Sequence, residues 1–445
     1  VSTTYKTRVT TGVKDAAGNT LSSQYETSSG FKTASSATAI ATGAEHSCAL
    51  LDNASVKCWG LNDYGQLGID NTTTMGDGSG EMAALTGIDL GTGRTATAIE
   101  AGAYHSCALL DNASVKCWGR NNYGQLGIDN STNMSDNSSE MAFLPSVDLG
   151  TGRTATAISA RSFHSCALLD NASVKCWGRN KYGQLGIGNT TNMGDNSSEM
   201  AVLPSVDLGT GRTATAIAAG YSHTCALLDN ASVKCWGYNE YGQLGIDNST
   251  TMGDGSGEMA VLPSIDLGTG RTATAIAAGL YHSCALLDNA SVKCWGRNNY
   301  GQLGIDNSTN MGDGSGEMAV LPSIDLGTGR TATAISAASD YSCALLDNAS
   351  VKCWGLNDHG QLGIGNTTTM GDNSSEMAVL TSIDLGTGRT ATAIAAGYSH
   401  TCALLDNASV KCWGYNNYGH LGIDNTTNMG DNSSEMGDNL PVVDL

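Results

Sequence analysis

Phenylalanine occurs only three times and proline only five times in 445 residues. Basic residues are also few, 22 Lys and Arg against 42 Asp and Glu, which leaves a formal charge of -20. Binding to nucleic acid or to an anionic bilayer surface draws on clustered cations, so this balance argues against both. No run of 18 or more apolar residues occurs, so no segment inserts through a membrane as a helix. The chain also lacks an initiator Met and a signal-peptide pattern at Val1, and reads as processed or as part of a longer one. Hydrophobic residues make up 40% of the chain but aromatics only 6%, so Ala, Val, Ile and Leu must fill most of the core.

What the chain does have is a repeat, and a fixed period fixes the architecture before any local reading does. The segment C-A-L-L-D-N-A-S-V-K-C-W-G begins at Cys48, Cys107, Cys166, Cys225, Cys284, Cys343 and Cys402, each 59 residues after the last. Seven units that cannot each bury a core read as one cooperative body. Each unit carries two cysteines flanking Asp-Asn-Ala-Ser, a strand-turn-strand pattern that places the two sulfurs opposite each other. The expected bridges are Cys48 to Cys58, Cys107 to Cys117, Cys166 to Cys176, Cys225 to Cys235, Cys284 to Cys294, Cys343 to Cys353 and Cys402 to Cys412. The alternative is buried reduced thiols. Fourteen paired thiols favour an oxidising compartment, extracellular or on the cell surface. A metal site of His46 with Cys48 and Cys58 is disfavoured because the sixth repeat carries Tyr341 where the others have His. A structural histidine fits the pattern better.

One period yields four strands, as at Ser146 to Leu149, Thr154 to Ala160, His164 to Leu169 and Ser173 to Gly178. A connector of about 20 residues, such as Gly183 to Leu203, exceeds the usual loop length and calls for a function or a brace. The first repeat lacks an opening strand, whereas Val442 to Leu445 supplies one at the other end. The expected fold is therefore all-β, a seven-bladed β-propeller of four-stranded antiparallel blades over 34 to 445. The C-terminal strand is expected to join the first blade and remove the open edge.

The run from Val56 to Gly68, V-K-C-W-G-L-N-D-Y-G-Q-L-G, with Ala101 to Ser106 ahead of its second copy, resembles the regulator of chromosome condensation repeat family. That resemblance covers about Thr38 to Leu445. It implies a seven-bladed propeller whose termini share a blade. Within the family, one member is an exchange factor for a small GTPase that binds chromatin, and a secreted bacterial relative holds its target through loops on one face. The acidic, cysteine-rich chain sits closer to the second. Residues 1 to 33 differ in composition. From Val9 to Leu21 and at Phe31 to Thr33 they resemble the last strands of a bacterial immunoglobulin-like surface domain, whose open edges invite a partner strand.

Comparing the repeats with one another locates a working face. Two stretches vary, the residues before the His and those after Trp-Gly, and in an up-and-down blade both connections emerge at one end. The Asp-Asn-Ala-Ser and Gly-Thr-Gly-Arg turns fall at the other. The expected ligand face comprises Tyr104, Arg120, Phe163, Arg179, Tyr221, Tyr238, Tyr281, Arg297, Tyr398 and Tyr415, residue types that anchor interfaces. Drift at tolerant loop tips is the alternative.

The connectors carry oxygen-bearing residues at alternating positions: Asp77, Ser79 and Glu81, then Asp136 and Glu140, Asp195 and Glu199, Asp254 and Glu258, Asp313 and Glu317, Asp372 and Glu376, and Asp431 and Glu435. Calcium takes such ligands, although the EF-hand spacing is absent; solvated turn residues are the alternative. Asn-x-Ser/Thr acceptors recur at Asn53, Asn112, Asn171, Asn71 and Asn130, where Asp-Asn also makes a good turn. No catalytic constellation stands out, because seven near-equal copies of each polar group offer no asymmetric nucleophile and base. His359 and His420 are the unpaired exceptions. The reading is a non-catalytic extracellular surface that binds protein or glycan. The alternative is a structural subunit in which further copies of the chain link through the N-terminal strands into a filament or surface layer.

Overall fold

Each repeat folds into one antiparallel sheet in the computed structural model, which describes residues 35–445 and, before them, only four two-residue strands. The immunoglobulin-like reading of 1–33 lies outside the described residues. In the first blade the inner strand is Ala37–Thr42, the middle strand His46–Leu51 and the third Val56–Gly60. Six more sheets follow in the same order, making the seven-bladed propeller.

The burial pattern explains the sequence of each strand. All six residues of the middle strand are buried, because neighbouring blades cover both its faces, and so it reads as an unbroken Cys-Ala-Leu-Leu run. The inner strand alternates instead and turns one side toward the central channel. The third strand ends on a tryptophan that is wholly buried in every blade. Its indole N–H donates to the backbone of the preceding blade, Trp118 to the Gln66 carbonyl at 3.1 Å and Trp59 to the His420 carbonyl at 3.1 Å. Each tryptophan thus packs and hydrogen-bonds across a blade joint.

Three regular strands form per blade, with an extended segment along the third in place of the fourth. This segment belongs to the blade before the one expected. Ser146 to Leu149 runs beside the third strand of the second blade, where the Val147 N–H donates to the Val115 carbonyl at 2.8 Å. All five prolines, Pro145, Pro204, Pro263, Pro322 and Pro441, head such segments. A residue without an N–H cannot extend a ladder.

That offset corrects the expected closure. Val443 donates to the Val410 carbonyl at 2.9 Å, so the C-terminal segment lines the last blade rather than the first. The ring closes by packing. Val443 meets Trp59 of the first blade as Val147 meets Trp177, and Ala37 donates across the joint to the Ala408 carbonyl at 3.1 Å. The seventh joint is thus built like the other six, and no strand is exchanged.

Two hydrogen-bonded rings tie the blades together. His46 Nε2 lies 2.9 Å from Ser106 Oγ in the next blade, and the series continues until His400 reaches Ser47 at 2.9 Å. Each such hydroxyl donates its own proton to a backbone carbonyl, Ser106 to Gln66 at 2.9 Å, so the imidazole N–H is the donor to it. In the sixth blade Tyr341 donates instead to the His400 carbonyl at 2.5 Å. On the connectors, Asp70 accepts the N–H of Met141 at 2.9 Å, bracing the next blade's short helix Glu140–Phe143. Asp129, Asp247, Asp306 and Asp424 repeat this contact. Gly188 and Gly365 stand where the two remaining aspartates would be.

Candidate functional site

The seven expected disulfides all form between the middle and third strands, with Cα atoms 4.0 to 4.1 Å apart. Every sulfur is thus paired, and each of the six strand histidines is bonded through Nε2 across a joint.

Both variable loops emerge at one end of the disc, as the repeat comparison implied. The residue after Trp-Gly donates to the residue before the His, Leu61 to Glu45 at 2.8 Å and Arg120 to Tyr104 at 2.8 Å. At the other end the two invariant turns meet, and Asp111 accepts Arg94 at 3.2 Å.

On the variable face the aromatic rings make a continuous arc. Tyr104 and Phe163 lie 6.2 Å apart, Phe163 and Tyr221 6.3 Å, and Tyr221 and Tyr281 5.6 Å. Tyr238 joins at 6.2 Å from Tyr281. Guanidiniums cover the rings from above: Arg120 sits 5.5 Å from Tyr104, Arg179 5.6 Å from Phe163, and Arg297 5.6 Å from Tyr281. Such cation-aromatic stacking holds long side chains in place.

Eight of the ten expected face residues therefore come together. Tyr398 does not join them: it turns toward the axis and shares a hydrogen bond with Ser162 at 2.7 Å, and its burial pushes its pKa up to about 12. Tyr415 stands in a separate cluster, 4.7 Å from the ring of His359 and 5.5 Å from that of His420. The repeat comparison missed Tyr64, Tyr123, Tyr241 and Tyr300, which interleave with the arc, Tyr64 at 5.5 Å from Tyr104 and Tyr241 at 5.3 Å from Tyr281. This position is Tyr in every repeat but the sixth, which has His359, so variability barely flagged it; its aromatic character was the available signal.

Acids stand on both sides of the Tyr415 cluster. Glu45 and Asp63 lie on the first blade, Asp340 and Asp358 on the sixth. Burial and then the charge of Asp63 raise the pKa of Glu45. Burial also raises that of Asp340, although Arg297 opposes this from 3.5 Å. The face thus carries an aromatic arc over blades two to five, with arginines on blades two, three and five, and acids on blades six and one, with the Tyr415 cluster between them.

The connector carboxylates serve the connectors themselves. Glu81 Oε2 accepts the N–H groups of Gly76 at 2.9 Å and Gly78 at 2.8 Å, and Glu258, Glu317, Glu376 and Glu435 do the same in their own loops. Glu199 accepts three such donors, and Glu140 accepts Asn137 at 3.0 Å. Burial and the adjacent glutamate raise the pKa values of Asp77, Asp195, Asp254, Asp313, Asp372 and Asp431. Among the described residues no group of three carboxylate, His or Cys side chains is arranged to hold a metal. These hydrogen bonds also explain how so long a connector stays ordered.

The RCC1-like domain pattern matches residues 135–436, and the regulator of chromosome condensation (RCC1) repeat matches 37–66 and 96–125. The chain is 27% identical over 386 residues to the ultraviolet-B receptor UVR8 of Arabidopsis thaliana, covering 86% of this chain and 78% of that protein. It is 27% identical over 344 residues to the secretion-regulating guanine nucleotide exchange factor of Bos taurus, covering 76% and 67%. Human WBSCR16 superposes with a TM-score of 0.65 at 20% identity over 87% of this chain and 89% of that one. Yeast RCC1, solved with a bound protein, superposes at 0.62 with 19% identity over 88% and 84%.

Proposed function

Since the chain belongs to the RCC1-like family of seven-bladed propellers, we infer that it is a binding module whose docking surface is the variable face. The module is non-catalytic and works outside the cell or at its surface, where seven disulfides persist. The single observation that carries this reading is the arc of Tyr104, Phe163, Tyr221 and Tyr281 under Arg120, Arg179 and Arg297. Rigid aromatics capped by arginine lose little entropy on docking and suit a protein or a glycan. The acids beside it, Glu45 and Asp63 on the first blade and Asp340 and Asp358 on the sixth, favour a partner with a matching cationic edge.

Glycan arrays and panels of extracellular proteins, probed with the wild-type chain and with an Arg120→Ala/Phe163→Ala variant, test the reading. Binding lost in the variant at an unchanged melting temperature supports it. Equal binding by both chains overturns it.

A second reading, self-assembly, draws on one observation. Phe143 is 83% exposed, and Val202, Val261 and Val320 are each 74% exposed at equivalent connector positions. Repeated apolar side chains of this kind suit edge-to-edge packing of discs. Light scattering at rising concentration distinguishes it, since only an assembling chain gains mass.

A further inference from the structure

The repeat is most sharply broken at the central channel. At the end of the inner strand five blades carry glycine, at Gly43, Gly102, Gly220, Gly279 and Gly397, and the sixth carries Ala338. The third blade carries Arg161. Glycine is required elsewhere because a Cβ at Gly102 would lie 2.2 Å from the ring of His105. The third blade escapes that clash by extending its inner strand to seven residues, Ala155–Arg161, so that Arg161 pairs with His164, and by placing Ser162 at φ 44. A strained non-glycine residue beside a buried arginine marks a feature the scaffold alone does not need.

Arg161 reaches across the channel from the third blade and donates through Nη1 to the Ala396 carbonyl of the seventh at 3.3 Å. Its Nε and Nη2, the edge that forms two parallel hydrogen bonds to an oxyanion, are out of contact with solvent and have no partner. Among the described residues the cavity wall holds one acid, Glu100, whose burial pushes its pKa up to about 7 against the opposing charge of Arg161, while its carboxylate accepts the Ala160 N–H; Glu100 acts on Arg161 through its charge and not through a hydrogen bond to Nε or Nη2. Of the hydroxyls near Arg161, Tyr398 and Ser162 share one hydrogen bond, so one of the two keeps a proton to donate. The channel cavity against Arg161 measures about 250 Å³ and is lined by Glu100 and the hydroxyls of Thr42, Ser159 and Ser336 as well as by Ile217, Ile276 and Ile394. Guanidinium donors sealed from solvent without a partner are costly unless an anion meets them.

We propose that the central channel is a binding site for a small oxyanion, a carboxylate or a phosphate, held by the Nε and Nη2 edge of Arg161. This site is distinct from the docking arc and stands independently of it.

Calorimetric titration of the folded chain with butyrate and, separately, with inorganic phosphate tests the site. Saturable one-to-one heat is expected from at least one of them, at least tenfold weaker in Arg161→Gly, which restores the residue of the other blades. Stronger binding of butyrate assigns the site to an organic acid, and stronger binding of phosphate to an inorganic one. Crystals soaked in selenate or bromoacetate give a readout that needs no variant: anomalous density on the Arg161 fork is expected. No heat with either anion and no density, or equal heat from wild type and Arg161→Gly, overturns the proposal.

Discussion

The two ends of the propeller differ in how they use the same repeat. At one end the Gly-Thr-Gly-Arg turn meets the Asp-Asn turn of the same blade through one ion pair in each of blades two to seven, from Arg94–Asp111 at 3.2 Å to Arg389–Asp406 at 3.3 Å, with hardly any change among them. At the other end no two blades carry the same set of side chains, yet the backbone bonds beneath them, such as Arg120 to Tyr104 and Arg179 to Phe163, recur. The scaffold thus satisfies its own backbone in the same way everywhere, which frees the variable tips from any duty in stability.

The interior beneath both ends sets the largest expected effect. Burial holds the pKa values of His46, His105, His164, His223, His282 and His420 down to about 3, and that of His400 well below its usual value. A histidine depressed in the folded state contributes stability above the unfolded value near 6.5 and loses it as pH falls, because the unfolded chain takes the proton. Seven such groups give a slope that approaches on the order of 10 kcal/mol per pH unit once all titrate in the unfolded chain. Glu100, raised to about 7, works in the opposite direction with one proton. Denaturant midpoints measured from pH 7 to pH 4 are therefore expected to collapse; a flat profile would show that the histidines are not buried neutral.

The next test sets Gly102 against the tips. Gly102→Ala drives a Cβ into the His105 ring and is expected to cost about 1–3 kcal/mol, seen as a lower urea midpoint. The missing braces give an effect of opposite sign. Asp247 takes its brace position at φ 56, and Gly188 already lies at φ 69. Gly188→Asp is thus expected to add about 0.5–1 kcal/mol by capping the helix Glu258–Val261, again read from denaturant unfolding. An unchanged midpoint would mean that the backbone bond from Gly188 to the Gly253 carbonyl at 3.1 Å already does that work.

The smallest effect belongs to the comparison itself. Arg153→Ala removes one exposed ion pair and is expected to cost less than about 0.5 kcal/mol, since such pairs are screened. Phe163→Ala on the opposite end is expected to cost little stability and much partner binding. If the two variants alter binding equally, the division of labour between the ends fails.

The disulfides, the blade number and the end at which the variable loops gather were legible because each rests on local spacing repeated seven times. Cys48 and Cys58 straddle one short turn, so hairpin geometry alone pairs them. The turn itself was less legible, for its left-handed residue is Ala54 at φ 61 rather than Asn or Gly. The fourth strand was assigned to the wrong blade, since an extended segment carries no mark of which edge it will line. Calcium was read from spaced carboxylates, of which the glutamates accept N–H groups of their own loops.

Sequence by itself determined the period, the strands, the bridges and the end of the disc at which variation collects, because these follow from contacts within one repeat. Tertiary structure alone decided what happens between repeats: which blade the C-terminal segment lines, how His46 finds Ser106, how the rings merge into one arc, and that Arg161 crosses the channel. Those contacts join residues about 60 to more than 350 positions apart, and only ring closure fixes which blades face one another.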